Sequence, residues 1–142
     1  MKLILMALSL AATAMLFFCC KHQPKFTADT LPTKQLRWGT GGGFAGLENT
    51  RVLLENGQIF ANKLSGPLSE AKKTKAKTAV ALFKTVQALD LAKLEFSHPG
   101  NLYSFLEIQE GDVVQRISWG DPNFPVNPAV QAAFDQLNGL VK

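Results

Sequence analysis

Cysteine is almost absent from this sequence. The chain of 142 residues holds two, Cys19 and Cys20, which are adjacent and lie near its start. A disulfide between direct neighbours would strain the peptide that joins them, and no later residue offers a partner thiol. The folded part of the chain therefore has no internal disulfide and no thiolate metal site.

A strong charge of either sign is also missing. The 15 Lys and Arg exceed the 11 Asp and Glu by four, and by three once Lys2 is removed with a leader. A balance this mild does not predict binding to nucleic acid, which requires a concentrated basic surface. The aromatic residues do not alternate with basic ones in the way that favours base stacking.

Side chains that carry catalytic chemistry are sparse. The chain has two histidines, and His98 is the one within the predicted domain, beside a Pro-Gly turn. One histidine and scattered acids supply neither a nucleophile–base pair nor a full set of metal ligands. We therefore expect no catalytic residue, no cofactor and no metal. A pair of hydrolase carboxylates among the loop residues Asp90, Asp112 and Asp121 is the alternative.

Residues 1–20 are typical of an export signal. Met1 and Lys2 give a positive start, and residues 3–18 form an apolar run that one serine and one threonine interrupt. The run is slightly short for a membrane-spanning helix, which needs about 20 residues. An uncleaved anchor is nevertheless one of three interpretations.

The other two interpretations differ in where the leader is cut. A small-x-small site at residues 12–14 fits ordinary signal peptidase, but it leaves an exposed apolar tail that begins at Met15. The leader also resembles that of bacterial lipoproteins, in which a cysteine directly after the apolar run is acylated and becomes the first residue. This resemblance implies lipid attachment at Cys20, which a small residue precedes, or at Cys19, which follows the bulky Phe18. We favour Cys20.

Residues 21–34 are predicted to form a flexible tether. They are mostly polar, hold two prolines and show no periodicity. Fully extended, the segment would reach roughly 45 Å, enough to hold a domain clear of a membrane. A single domain is then expected over residues 35–142, a length that suits one hydrophobic core.

The glycine-rich stretch at residues 39–46 is followed by the clearest turn signal. GGGFAG at 41–46 fits the spelling of a dinucleotide motif, but a strand pattern follows where that motif needs a helix. The stretch indicates instead a strand bend or a loop with Phe44 at its tip. Asn56-Gly57 then predicts a two-residue hairpin turn of type I′.

A first helix is predicted from Ser69, as N-cap, to about Ala88. Its first two turns are crowded by lysines, which the positive end of a helix disfavours. We expect a solvated face, with contact to anionic headgroups or glycans as the alternative. The lysines are Lys72, Lys73, Lys75 and Lys77.

The second half of the chain repeats this order of hairpin and helix. Residues 102–109 and 113–119 alternate like two paired strands. Asn127-Pro128 starts a last helix that runs to about Leu140. The predicted fold is α+β: two β-hairpin–helix units that form a four- or five-stranded antiparallel sheet with two helices on one face.

Five residues are candidates for contact with a partner: Trp38, Phe44, Tyr103, Trp119 and Asp121. Phe44 is at the loop tip, Tyr103 is on the half-exposed face of the sheet, and Asp121 begins a rigid loop with two prolines. The two tryptophans suit the core, but together on the surface they would form a patch for a sugar or a protein.

Four short stretches resemble small uncharacterised lipoproteins that are common in Bacteroidetes. The resemblance covers roughly residue 38 to the end, and it implies an envelope location and this fold without an activity. The stretches are GGFAG at 42–46, LENGQ at 54–58, HPGN at 98–101 with Tyr103, and WGDP at 119–122.

These observations predict a lipid-anchored protein of the bacterial cell envelope, facing the periplasm or the cell surface. We expect a non-enzymatic binding or interaction module for an envelope protein or glycan. The alternatives are a small envelope hydrolase, and an inhibitor that inserts the loop at Phe44 or at residues 121–125 into a secreted enzyme. Exposed aromatic side chains would favour the binding module, and a cleft that joins His98 to the aspartates would favour the hydrolase.

Overall fold

Seven strands form one mixed sheet in the described part of the chain, which is residues 23–142 of a computed structural model. They are β1 (Gln35–Gly42), β2 (Leu47–Leu53), β3 (Gln58–Ala61), β4 (Ser69–Lys73), β5 (Ser97–His98), β6 (Leu102–Glu110) and β7 (Val113–Trp119). Their order across the sheet is β4-β3-β2-β1-β6-β7-β5. Neighbouring strands are antiparallel, except that β5 and β7 are parallel.

The α+β class is confirmed, but the prediction of four or five antiparallel strands was wrong. The unexpected strands are the two edges of the sheet. β4 is exposed along its whole length and is rich in charge, and β5 has only two residues. Neither shows the apolar alternation that identifies a strand in a sequence. Short, charged edges of this kind protect a sheet from pairing with other chains.

The described residues also form two long helices and a short one: α1 (Ala76–Ala88), α2 (Leu91–Leu94) and α3 (Pro128–Gly139). α1 ends where predicted but begins later. Ser69 belongs to β4, and Lys75 is the N-cap of α1 without any side-chain capping bond. The backbone of β4 is held in the ladder to β3, so it cannot supply the first turn of a helix.

The turn between β2 and β3 differs from the prediction as well. A type I′ turn needs positive φ at both central residues, but of Asn56 and Gly57 only Gly57 has it, at 88°. The Gly57 N–H donates to the Leu54 carbonyl at 2.9 Å, and the Leu54 N–H donates to the Gln58 carbonyl at 3.0 Å. A left-handed glycine that closes a turn in this way forms a bulge and a longer loop. Asn56 contributes its side chain, whose Oδ1 accepts from the Gln58 N–H at 2.9 Å.

Side chains from both long helices join the strands in the main buried apolar cluster. Trp38 on the central strand β1 is fully buried, and its indole N–H donates to Asn138 of α3 at 3.2 Å. Trp119 at the end of β7 donates to Gln131 of α3 at 3.1 Å. The Trp119 ring also meets Phe134 edge-on, with the ring centroids 5.1 Å apart. These contacts hold α3 to β1 and β7.

The segment that precedes β1 lies against the sheet. Phe26 and Leu31 pack on a second, smaller buried cluster of Val52, Leu54 and Phe60. This cluster gives the segment an apolar attachment that a free tether would not have.

Hydrogen bonds hold the same segment in place. The Phe26 N–H donates to the Gln58 Oε1 at 2.8 Å, and the Gln58 Nε2 returns a bond to the Phe26 carbonyl at 3.0 Å. The Asn56 Nδ2 donates to the Pro24 carbonyl at 2.7 Å. The folded unit therefore begins at about Pro24 and not at residue 35. The predicted leader, with Cys19 and Cys20, lies outside the described residues.

Candidate binding groove

The hairpin that joins β1 to β2 is a tight glycine loop with Phe44 at its tip. Gly42, Gly43 and Gly46 have φ of 103°, 74° and 61°. The Gly46 N–H donates to the Gly43 carbonyl at 3.1 Å. Residues with a Cβ rarely adopt such backbone angles, so the three glycines permit the tight loop. Phe44 is fully exposed at its tip.

Beside this loop, four strand ends and the β3–β4 connection form an open groove with a cavity volume of ≈ 580 Å³. Exposed apolar side chains surround it: besides Phe44, they are Leu47, Leu64 and Leu102, which are 37%, 64% and 69% exposed. The full lining is Thr40, Gly41, Gly42, Phe44, Ala45, Leu47, Asn49, Leu64, Leu102, Tyr103, Ser104, Trp119 and Gly120.

The register of the strands explains why the groove is open. Along one face of β1, the buried residues Leu36 and Trp38 are followed by Thr40 and Gly42. Thr40 lies opposite Ser104 of β6. Along these two strands, the large side chains of the core are therefore followed by a pair of small ones. Every lining residue comes from a strand or a connecting loop of the described chain. The main core therefore ends before the sheet does, and the last rows of the sheet remain open to solvent.

A polar network braces the opposite face of these strands. The Tyr103 hydroxyl donates to the Glu48 Oε1 at 2.7 Å, and Arg116 forms an ion pair with the same carboxylate. The Arg116 guanidinium lies 3.9 Å from the centre of the Phe105 ring, within cation–π distance. Because this network fixes β2, β6 and β7 to one another, it keeps the groove in shape.

The network also sets the charge of its members. Burial alone would raise the pKa of Glu48, but the hydrogen bonds from Tyr103 and Arg116 and the charge of Arg116 together lower it. The hydrogen bond to Glu48 raises the pKa of Tyr103. At neutral pH, Glu48 is therefore a carboxylate and Tyr103 a neutral donor.

The structure brings three of the five predicted contact residues together. Phe44, Tyr103 and Trp119 all line the groove. Trp119 is only 8% exposed, so it offers the edge of a core residue and not a free ring. Tyr103 is half-buried, and its hydroxyl is occupied by Glu48. Phe44 is thus the one aromatic ring of the groove that is fully available to a partner.

The other two predicted residues have structural tasks. Trp38 is fully buried beneath α3 and cannot touch a partner in this fold. The Asp121 carboxylate accepts from the Asn123 main-chain N–H at 2.9 Å and from its side-chain amide at 3.0 Å. This is the turn geometry for which aspartate is favoured.

Sequence reasoning missed Leu47, Leu64 and Leu102, which provide most of the apolar rim. Leu102 lies on the same face of β6 as the core residues Leu106 and Ile108, but that face continues past the edge of the core. Leu64 lies in the connection between β3 and β4, and its φ is positive, at 50°.

No catalytic arrangement was found at the groove. Among its lining residues, Tyr103 alone has a titratable side chain. The His98 ring lies between two others, stacked on Phe124 at a centroid distance of 4.0 Å and edge-on to Phe96 at 4.8 Å. Within residues 23–142, no group of three His, Cys, Asp or Glu side chains is placed to hold a metal ion.

Comparison with protein-family models and with curated proteins found no match to this chain. The resemblance to small lipoproteins of Bacteroidetes therefore stays a prediction. In the region covered by the structure, none of the helices is long and apolar enough to cross a membrane.

Proposed function

We propose that this protein is a lipid-anchored binding module of the bacterial cell envelope. In this proposal, the groove at the Phe44 loop receives an apolar segment of an envelope protein. The supporting observation is the clustering of four exposed apolar side chains, Phe44, Leu47, Leu64 and Leu102, around one cavity. Contiguous exposed apolar surface is rare on monomeric proteins and is characteristic of interaction sites.

The lining of the groove favours binding over hydrolysis. General acid–base catalysis needs a titratable side chain within hydrogen-bond reach of the substrate. Within the described lining, Tyr103 has the only titratable side chain. Its hydroxyl already donates a hydrogen bond to Glu48 at 2.7 Å, and its pKa is raised. A small envelope hydrolase would therefore have to place its chemistry elsewhere on the chain.

The lining also favours a protein over a glycan. Trp38 is buried and Trp119 is 8% exposed, so Phe44 is the one aromatic face that the groove offers for stacking on a sugar. The three leucines of the rim match the apolar side chains of a peptide better than the hydroxyls of a sugar.

The fold of the whole domain fits this arrangement. We infer that α1 and α3 cover the same face of the sheet, because their buried residues share one cluster with alternate residues of β1, β6 and β7. The groove would then be the uncovered end of that face. Such an end is open to a partner without any movement of the helices.

The lipid anchor is expected at Cys20, or at Cys19. We expect the protein made in a bacterial host to carry the mass of a diacylglycerol and an acyl chain and to partition into detergent. Intact mass spectrometry of the wild type beside Cys19→Ala and Cys20→Ala identifies the residue, since one variant alone should lose the increment. A water-soluble product that begins at Met15 would refute the anchor and make a diffusible inhibitor the better proposal.

The groove is tested by a photoreactive side chain placed at its rim. We expect p-benzoylphenylalanine at position 44, 64 or 102 to form the same covalent adduct with an envelope protein after illumination of intact cells. Val113 and Phe124 are matched control positions, because they are exposed apolar residues outside the groove lining. Equal adducts at the control positions, or none at the three rim positions, would contradict the proposal.

A second candidate function is inhibition of a secreted enzyme. The observation in its favour is the position of Phe44, a fully exposed ring at the tip of a closed glycine loop. In the same crosslinking experiment, inhibition predicts an adduct at position 44 to the active site of an enzyme. It predicts little adduct at positions 64 and 102.

A further inference from the structure

Four lysines lie in the two segments that meet where the described chain begins. Lys25 directly follows Pro24, and Lys73, Lys75 and Lys77 lie at the junction of β4 and α1. All four side chains are exposed, and among residues 23–142 none of them is ion-paired with a carboxylate. These four residues are called the lysine cluster.

Hydrogen bonds place the cluster next to Pro24. The Asn56 Nδ2 donates to the Pro24 carbonyl at 2.7 Å. Gly57, which follows Asn56 in the chain, accepts a hydrogen bond through its carbonyl from the Thr74 N–H at 2.8 Å. Thr74 lies between two members of the cluster, so the junction of β4 and α1 stands beside the point from which the N-terminal residues extend.

Two acidic residues near this end of the sheet, Glu55 and Glu110, are paired with Lys34. The Glu55 carboxylate lies 2.8 Å from the Lys34 ammonium, and Glu110 lies 3.8 Å from the same group. Glu70 accepts from the Gln58 Nε2 at 3.1 Å. The Glu70 carboxylate keeps its charge, because the Gln58 amide is neutral. The four lysines outnumber this one carboxylate, so the surface here remains positive.

The lysines occupy positions where they oppose local stability. Lys75 caps α1 without a side-chain hydrogen bond, and the first turn contains no acidic residue. The start of a helix carries partial positive charge and favours Ser, Asp or Asn at the cap. Residues that oppose the stability of their own helix in this way are expected where they serve a functional role, such as binding.

We propose that the lysine cluster binds the anionic phospholipid headgroups of the membrane that holds the lipid anchor. The inference rests on the proposed acylation at Cys20 or Cys19. From Cys20 to Pro24 the chain spans at most about 14 Å when extended. This length is an upper limit, so the link allows the cluster to approach the membrane surface to within the Debye length, which is about 8 Å at physiological salt. Each basic residue there strengthens attachment about fivefold.

This contact would orient the groove. β1 starts near Lys34, at the same end of the sheet as the Asn56 turn, and ends in the groove at Gly42. A strand of this length spans about 25 Å. With the lysine cluster on the bilayer, the Phe44 loop points away from it and is open to partners in the aqueous compartment.

The test is a lysine-labelling experiment on the acylated, processed protein in vesicles. One preparation contains phosphatidylcholine alone, and the other also contains phosphatidylglycerol. We expect an acetylating reagent to modify the lysine cluster at least about threefold more slowly in the anionic vesicles. Lys63 and Lys93, which lie elsewhere on the surface, should react equally in both. High salt should abolish the protection.

Matched variants separate charge from structure. K73Q/K75Q/K77Q should lose the difference between the two vesicle types at Lys25, whereas the control K63Q/K93Q should retain it. Lys75→Asp adds a favourable cap, so we expect it to raise the melting temperature of the domain while it weakens the protection. A loss of protection that followed a loss of stability would overturn the inference.

The outcomes distinguish this inference from the proposed anchor. Retention on neutral vesicles depends on the acyl chains alone, so failure there refutes the anchor. If the anchor is refuted, the unacylated protein is mixed with excess anionic vesicles. Protection of the lysine cluster under these conditions supports the headgroup contact without the anchor. Equal labelling in both vesicle types overturns the contact even if the anchor holds. Protection by glycerol phosphate without vesicles would also overturn it, because it would indicate a soluble anion as ligand.

Discussion

Replacing Trp38 with alanine should cost the domain about 4 kcal/mol of its free energy of unfolding. The side chain is fully buried on the central strand, where it contacts the core and donates to Asn138 at 3.2 Å. Small domains have roughly 5–15 kcal/mol in total, so this loss would leave a large fraction unfolded at moderate temperature. Urea unfolding followed by circular dichroism measures it.

Trp38→Phe is the matched control for this prediction. It keeps most of the aromatic packing and removes the indole donor, so we expect a loss of about 1 kcal/mol. The Asn138 oxygen would retain its contact with Arg51, at 3.4 Å. If Trp38→Ala were no more destabilising than Trp38→Phe, the ring would not be the centre of the core.

Gly57→Ala is expected to cost about 4 kcal/mol, although it adds a single methyl group. Gly57 has a φ of 88°, and an added Cβ would lie 2.2 Å from the Thr74 carbonyl oxygen. The substitution would therefore strain the turn and push β4 away from β3. Thermal and urea unfolding of the purified variant measure the loss.

Gly111→Ala provides the comparison. Gly111 has a φ of 62° in the turn between β6 and β7, and an added Cβ would have no neighbour within 4 Å. Only the backbone cost of about 1 kcal/mol should remain. Equal losses in the two variants would show that the contact with Thr74 is unimportant, and that dihedral strain accounts for both.

Elements with strong local chemistry were predictable from the sequence. Asn127 caps α3 by accepting from the Ala129 N–H at 2.8 Å, and Pro128 occupies the first helical position, as expected. The positions of β6 and β7 were also predicted correctly, because apolar residues recur at every second position along each strand.

Elements that depend on distant partners were not predictable. The sequence of β4 suits the start of a helix, but the segment forms a strand because its backbone pairs with β3 through antiparallel hydrogen bonds. The segment at Phe26 looks like a linker, and it is fixed by Gln58, a residue 32 positions away. Local patterns contain no information about such contacts.

The candidate groove was predictable only in part. Phe44 was identified because glycine-rich loops expose their tips. Leu64 and Leu102 were not, because an apolar residue in a sequence does not reveal whether the core extends far enough to cover it. The rim of the groove lies where the core ends. The register of β1 with β6 determines which residues lie beyond that point.

The position of β1 in the sheet determines the order in which the chain can fold. β1 pairs along its length with β6, from Gln35 opposite Gln109 to Gly42 opposite Leu102. During synthesis, β2 is available to β1 almost at once, whereas the other edge of β1 stays unpaired until β6 has been made. Pairing between such distant segments is slow, because a long loop must close first. The nascent N-terminal half therefore carries an open strand edge and an uncovered Trp38, and the last two strands and α3 complete the fold.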